Sequence, residues 1–297
     1  MARKGTYYLG RVLKLGTLDQ RKLIAALKEP VSIEYRESSW TFIDVIERDY
    51  GGVKYVFGRL SKYKPKGEVI IVDTQKRTEE TQLEPNLRMA SSPFLYIPEH
   101  SGIAFLNVYN HIEQKVFINR FCSIVEETHG RFFVDCDIEM VTDLRTFAAK
   151  LSSLDGIYQV KAKVSPPNPL FGPLWEDLKD YLIDRNTDRL HINEESPASQ
   201  PLNTDLPRHV ERASMQTEDE PYVTKSSLPI GDAAILMAAD GYGHGLVRGK
   251  CGDEVIIIKT AETVKNFSYD KDPEPVELFE KVKSLFDEIK NKRHLEH

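Results

Sequence analysis

The sequence predicts an α+β protein: a mixed β-sheet with helices packed on one face, ferredoxin-like in style, plus a C-terminal β-hairpin and helix. Three observations carry this. Runs that alternate apolar and polar residues, such as Thr6–Leu15 and "IYQVKAKVS" from Ile157, read as half-buried strands. Runs with a 3.6-residue apolar repeat and a capping residue at the start read as amphipathic helices. From Ser91 to Val164 the two kinds interleave in the order β-β-α-β-α-β.

Each element has its own local signal. After the strand Thr6–Leu15, "TLDQRKLIAALKEP" reads as a helix, with Thr17 and Gln20 spaced as a capping box and Leu23, Ile24 and Leu27 on one face. Two strand-like runs flank Asp49–Gly52 and predict a hairpin, and "GEVIIVDTQ" predicts a further strand. Two short strands surround a turn at Glu99–Gly102. The helix that follows is capped by Asn110 with Glu113. It buries Ile112, Val116, Phe117, Phe121, Ile124 and Val125 and stops at Gly130. "RFFVDCDIEMV" reads as a strand. The next helix is capped by Thr142 or Asp143 and turns Leu144, Phe147, Ala148, Leu151 and Leu154 inward. "SPPNP" ends the strand at Ile157, and "LWEDLKDYLIDR" reads as a helix. A hairpin over Ile230–Thr260, including "AAILMAAD" as a strand, precedes a last helix from Pro275. That helix buries Leu278, Phe279, Val282, Phe286 and Ile289, against its own domain or another subunit.

These signals divide the chain into a basic β-rich subdomain (1–90), an α+β core (91–192), a Pro-rich loop or linker (193–227) and the C-terminal hairpin and helix (228–294). Leu295–His297 resembles a purification-tag remnant. Apolar content of 40% and charged content of 29% are ordinary for a globular protein. No apolar run approaches the roughly 20 residues of a membrane span, so a cytoplasmic location without membrane insertion is expected. Three widely spaced cysteines make neither a zinc pattern nor a disulfide framework.

The net charge of −6 is uneven. Residues 1–78 hold 16 Lys/Arg against 9 Asp/Glu, and the remainder holds 24 against 37. A basic N-terminal part implies an anionic partner, or attraction between the two parts of one fold. Within it, "YVFGRLSKYKPKG" interleaves Lys54, Arg59, Lys62, Lys64 and Lys66 with Tyr55, Phe57 and Tyr63. Cations neutralise phosphates, and rings stack on unpaired bases. Lys62, Lys64 and Lys66 share one strand face. Arg11 and Lys14 extend the patch if the first strand lies beside it, and Lys161 and Lys163 form a smaller stripe. The competing reading is a solvated edge strand protected by lysines.

No cofactor, metal or complete catalytic motif occurs. "ADGYGHGLVRGKCGDEVIII" is the most site-like stretch, yet a phosphate loop needs a strand before it and a helix after it. Here the expected neighbours are both strands, so two tight turns of a β-meander are predicted. His244 reads as a turn residue, with Asp240 or Asp253 the nearest catalytic partners. Asp135, Asp137 and Glu139 share one strand face, either solvated or holding magnesium.

Ser91–Pro169 resembles a known family. "SSPFLYIPEHSGIAFLNVYNHIEQKVFINRF", "VDCDIEMVTD" and a strand running into Pro167-Asn168-Pro169 are similar to the family of the phage lambda exclusion protein RexA, and to uncharacterised proteins found with phage-defence genes. The resemblance implies a dimer that binds DNA without strong sequence preference. It implies the sensing half of an abortive-infection system, with an effector membrane protein encoded nearby. It carries over no catalytic residue. The reading is therefore a nucleic-acid-binding (DNA or RNA) defence component without a cofactor. The alternatives are a metal-dependent nuclease toxin and a protein-interaction module that docks through the C-terminal helix and the Pro-rich loop.

Overall fold

The computed structural model describes residues 3–165, 178, 181–182, 184–185, 187–197, 199–215 and 228–293. It is α+β, with two antiparallel sheets and helices. The larger sheet runs in the order β12-β1-β6-β5-β4-β3-β2. Its strands are β1 (Lys4–Gly16), β2 (Ile33–Tyr35), β3 (Ser38–Tyr50), β4 (Val53–Asp73), β5 (Thr78–Ile97), β6 (Gly102–Leu106) and β12 (Asn266–Asp270). β7 (Val134–Met140) also pairs with β1. The smaller sheet joins β11 (Glu254–Lys259), β10 (Gly243–Cys251), β8 (Gly156–Val164) and β9 (Leu190–Glu195).

All the pairings among these strands are antiparallel, which corrects the expected mixed sheet. The physical reason is the connections. From β2 to β6 each strand turns back tightly on its predecessor, whereas a parallel neighbour needs a long crossover. The tract expected as a separate strand at "GEVIIVDTQ" continues β4. It pairs with β5 out to Asp73↔Thr78, so the two strands form a ribbon well past the last β3–β4 pair, Ser39↔Tyr63. The boundary expected at residue 90 falls inside β5.

Helices cover both faces of the large sheet rather than one. α1 (Gln20–Lys28) and α2 (Gln114–Thr128) pack on one face, where Leu23, Leu27, Phe117, Phe121 and Ile124 meet Phe42, Phe94 and Phe105. Phe105 stacks on Phe117 with ring centroids 4.0 Å apart. The other face carries α3 (Leu144–Ser152), α4 (Leu206–Met215), α5 (Ile230–Met237), α6 (Pro275–Arg293) and the small sheet around a second core. Local chemistry sets the helix starts. Asp19, not Thr17, caps α1 by accepting from Lys22 N at 2.8 Å. Asp143 caps α3 through Thr146 N at 3.0 Å. The cap of α2 is Glu113, whose side chain accepts from Asn110 N at 3.1 Å.

Two further expectations change, and one left open is decided. "AAILMAAD" is not a strand: it is α5 and the π-helical turn Ala238–Tyr242 that follows, with Ala233 to Ala239 all buried. The tract expected as a linker, 193–227, contains the end of β9 and all of α4, and Leu206, Val210 and Ala213 are buried in the second core. The apolar face of α6 is buried within its own chain, where Phe286 packs onto Gly102 so closely that a Cβ there would lie 2.5 Å from the ring. Most of "LWEDLKDYLIDR", all of Pro167-Asn168-Pro169 and Leu295–His297 lie outside the described residues. No described helix is long and apolar enough to cross a membrane.

Candidate nucleic-acid interface

Alternation along β4 decides where its cations point. Val56 and Leu60 face α1 and α2, and Lys62 follows them on that side, opposite Trp40 of β3. Lys64 and Lys66 continue on the ribbon, paired with Leu87 and Pro85 of β5. Lys64 is half-buried and Lys66 exposed. Arg59 takes the other register and is neutralised there by Asp44, at 3.5 Å, and by Asp272. Lys54 is exposed beside α1, in a shallow depression with Arg21 and Lys28.

Around Lys62 the fold builds a groove of about 570 Å³ between the β2–β3 turn and α2. Arg36, Lys62, Lys115 and Arg120 face it, with Glu37 as the carboxylate among its lining residues. Its aromatic members are Tyr35 and Trp40. The Arg120 guanidinium lies 3.6 Å from the Tyr35 ring centroid and 5.8 Å from that of Trp40, and Lys62 Nζ lies 5.6 Å from Trp40. Two donors in this wall, Trp40 Nε1 and Arg120 Nε, are buried without a hydrogen-bond partner. Buried donors are ordinarily satisfied, and these two have no partner within the protein.

Two of the expected basic residues are not available to this surface. Arg11 is buried in the core, where its guanidinium donates to the carbonyls of Asp240 at 2.7 Å and His100 at 2.5 Å and lies over Tyr242. Burial holds its pKa below the usual arginine value. Its place on β1 turns it toward α6 rather than outward. Lys14 is half-buried, donates to Ser101 Oγ at 2.8 Å, and is pushed down to about 8 by burial. Lys161 and Lys163 lie on β8, in the smaller sheet. Reading the sequence missed Tyr35, Arg36, Trp40, Lys115 and Arg120. The available signal was the polar side of α2, where Lys115 and Asn119 are spaced i, i+4 beside Arg120.

A second cluster unites residues treated as separate candidates. Val134, Cys136, Ile138 and Met140 of β7 face α2, so Asp135, Asp137 and Glu139 turn to the opposite side. There Glu139 Oε1 lies 2.8 Å from His244 Nδ1, and this bond raises the His244 pKa above its ordinary value. Asp137 is raised chiefly by burial and then by Glu139, while Asp135 pairs with Arg189 at 2.7 Å. The expected partner Asp240 is instead buried in the turn after α5. The glycine stretch is a helix-to-strand junction, the reverse of a phosphate loop. Gly243, at φ +155°, passes so close to Lys163 that a Cβ would meet its carbonyl oxygen at 2.0 Å. Among the described residues, no group of three His, Cys, Asp or Glu side chains converges to hold a metal ion.

Residues 21–221 match a family described as a domain of unknown function, DUF4747. The chain belongs to the DUF4747 family. The matched span contains the whole groove, from Tyr35 to Arg120, and Glu139, whereas His244 lies beyond it. No curated protein matches the chain.

Proposed function

We propose that this DUF4747 protein is a nucleic-acid-binding component of a phage-defence or abortive-infection system. It acts in the cytoplasm as a homodimer on the sugar–phosphate backbone, and an effector protein encoded nearby is its partner. The defence role and the partners rest on the resemblance of Ser91–Pro169. The observation that carries nucleic-acid binding is the groove, where four cations face one carboxylate beside two aromatic rings. Cations supply sequence-independent affinity for phosphates, and their contribution falls with salt. The test is a titration against DNA and RNA at several salt concentrations. Neutralising Lys62, Lys64 and Lys66 together weakens binding and flattens the salt slope by about one unit per lost phosphate contact. Unchanged affinity and slope in that variant would remove the surface from consideration.

The Glu139–His244 bond favours a second reading, a nuclease-type toxin. A carboxylate holding one ring nitrogen leaves the other for proton transfer, and the upward shift that this bond produces favours the protonated ring, the general-acid form. Cleavage that persists in chelator, declines as pH rises through that raised pKa and disappears in His244→Ala supports it. Intact substrate under all these conditions rejects it.

A further inference from the structure

We infer that the groove takes one unpaired nucleotide of a single strand, its phosphate seated among Arg120, Lys62 and Trp40 and its base stacked on Tyr35. This rests on the nucleic-acid reading and narrows it to a substrate class. Three observations lead there. Trp40, 3% exposed, and Arg120 both line the groove, and Trp40 Nε1 and Arg120 Nε have no hydrogen-bond partner, so the groove wall carries two donors to which a phosphate oxygen is a suitable acceptor. A groove of about 570 Å³ is of the size that encloses a small ligand or one nucleotide. Tyr35 is 43% exposed at the rim with Arg120 stacked on it at 3.6 Å, so a base laid on this ring extends an existing cation–π stack.

A duplex does not meet these demands. Its bases are paired inside, and its phosphates follow a regular outer ridge that contacts flat or convex basic surfaces. A single strand offers splayed bases with phosphates free to turn inward. Arg36, exposed in the β2–β3 turn with its guanidinium carbon 5.3 Å from the Tyr35 ring, is placed to meet the next phosphate.

The experiment is a fluorescence-anisotropy competition at fixed salt. It compares a short oligothymidylate, an oligouridylate, a hairpin duplex of equal charge, and thymidine and uridine monophosphates. The expected result is single-strand binding at least tenfold tighter than duplex or monophosphate. Tyr35→Leu and Arg120→Gln weaken it about tenfold and Tyr35→Phe preserves it, in line with the usual loss per stacked base. Tyr35 is exposed, so its variants keep the folded state as a control for any damage from Arg120→Gln. Equal affinity for duplex and single strand overturns the inference, as does sensitivity confined to Lys64→Gln and Lys66→Gln. Both outcomes leave nucleic-acid binding standing. A monophosphate that binds as tightly as the strand also overturns it, in favour of a free-nucleotide site. Absence of binding to every ligand overturns both readings.

Discussion

Arg36 holds a left-handed backbone, φ +54°, in the two-residue turn between Tyr35 and Ser38. Glycine or asparagine normally occupies such a position, and a residue with a Cβ costs about 1–2 kcal/mol there. Strain of this kind collects at functional sites, and Arg36 lies on the rim of the groove. Arg36→Gly relieves the strain but adds unfolded-state entropy. The net expected change is therefore between zero and about 1 kcal/mol of added stability. Binding to a single strand weakens in the same variant. Thermal melting and anisotropy on one preparation check both halves. Unaltered binding, whatever the change in melting temperature, would assign Arg36 to the turn alone.

Among the elements, α6 is the clearest test of how the chain is held together. Leu278, Phe279, Val282, Phe286 and Ile289 are all 0–2% exposed, and Phe286 stacks on His100 at 5.6 Å while covering Gly102. Phe286→Ala should cost about 3–5 kcal/mol in urea unfolding, because the cavity opens against backbone that cannot collapse into it. A cost below about 1 kcal/mol would mean that α6 contributes little to this core. The element also shows which signals are local. The stripe of α6, the cap of α3 and the turn at Asp49–Gly52 were legible because periodicity and capping act within a few residues. α5 was not. A continuous apolar run has no polar face, so a helix buried all round reads like a buried strand. α4 was hidden by the four prolines of its surroundings (Pro197, Pro201, Pro207 and Pro221), although Pro207 sits in its first turn, where proline is tolerated.

At the scale of the molecule, the large sheet separates two cores and with them two clusters of polar side chains. The cationic groove lies on the α2 side and the Glu139–His244 pair on the other, so β7 contributes apolar residues to one and carboxylates to the other. Charge asymmetry along the chain pointed to the first of these regions, and Lys62 was found from its neighbours in sequence. The α+β class, most of the strands and the apolar faces of the terminal and central helices followed from the sequence by itself, since each depends on spacing within one element. Tertiary structure decided the rest. It placed Arg11 in the core rather than on the surface, bonded His244 to a carboxylate 105 residues away, and set Arg120 of α2 against Tyr35 of β2. The physical reason is that each of these contacts depends on the register and packing of whole elements. No pattern within a single stretch of chain encodes which distant side chain will stand opposite.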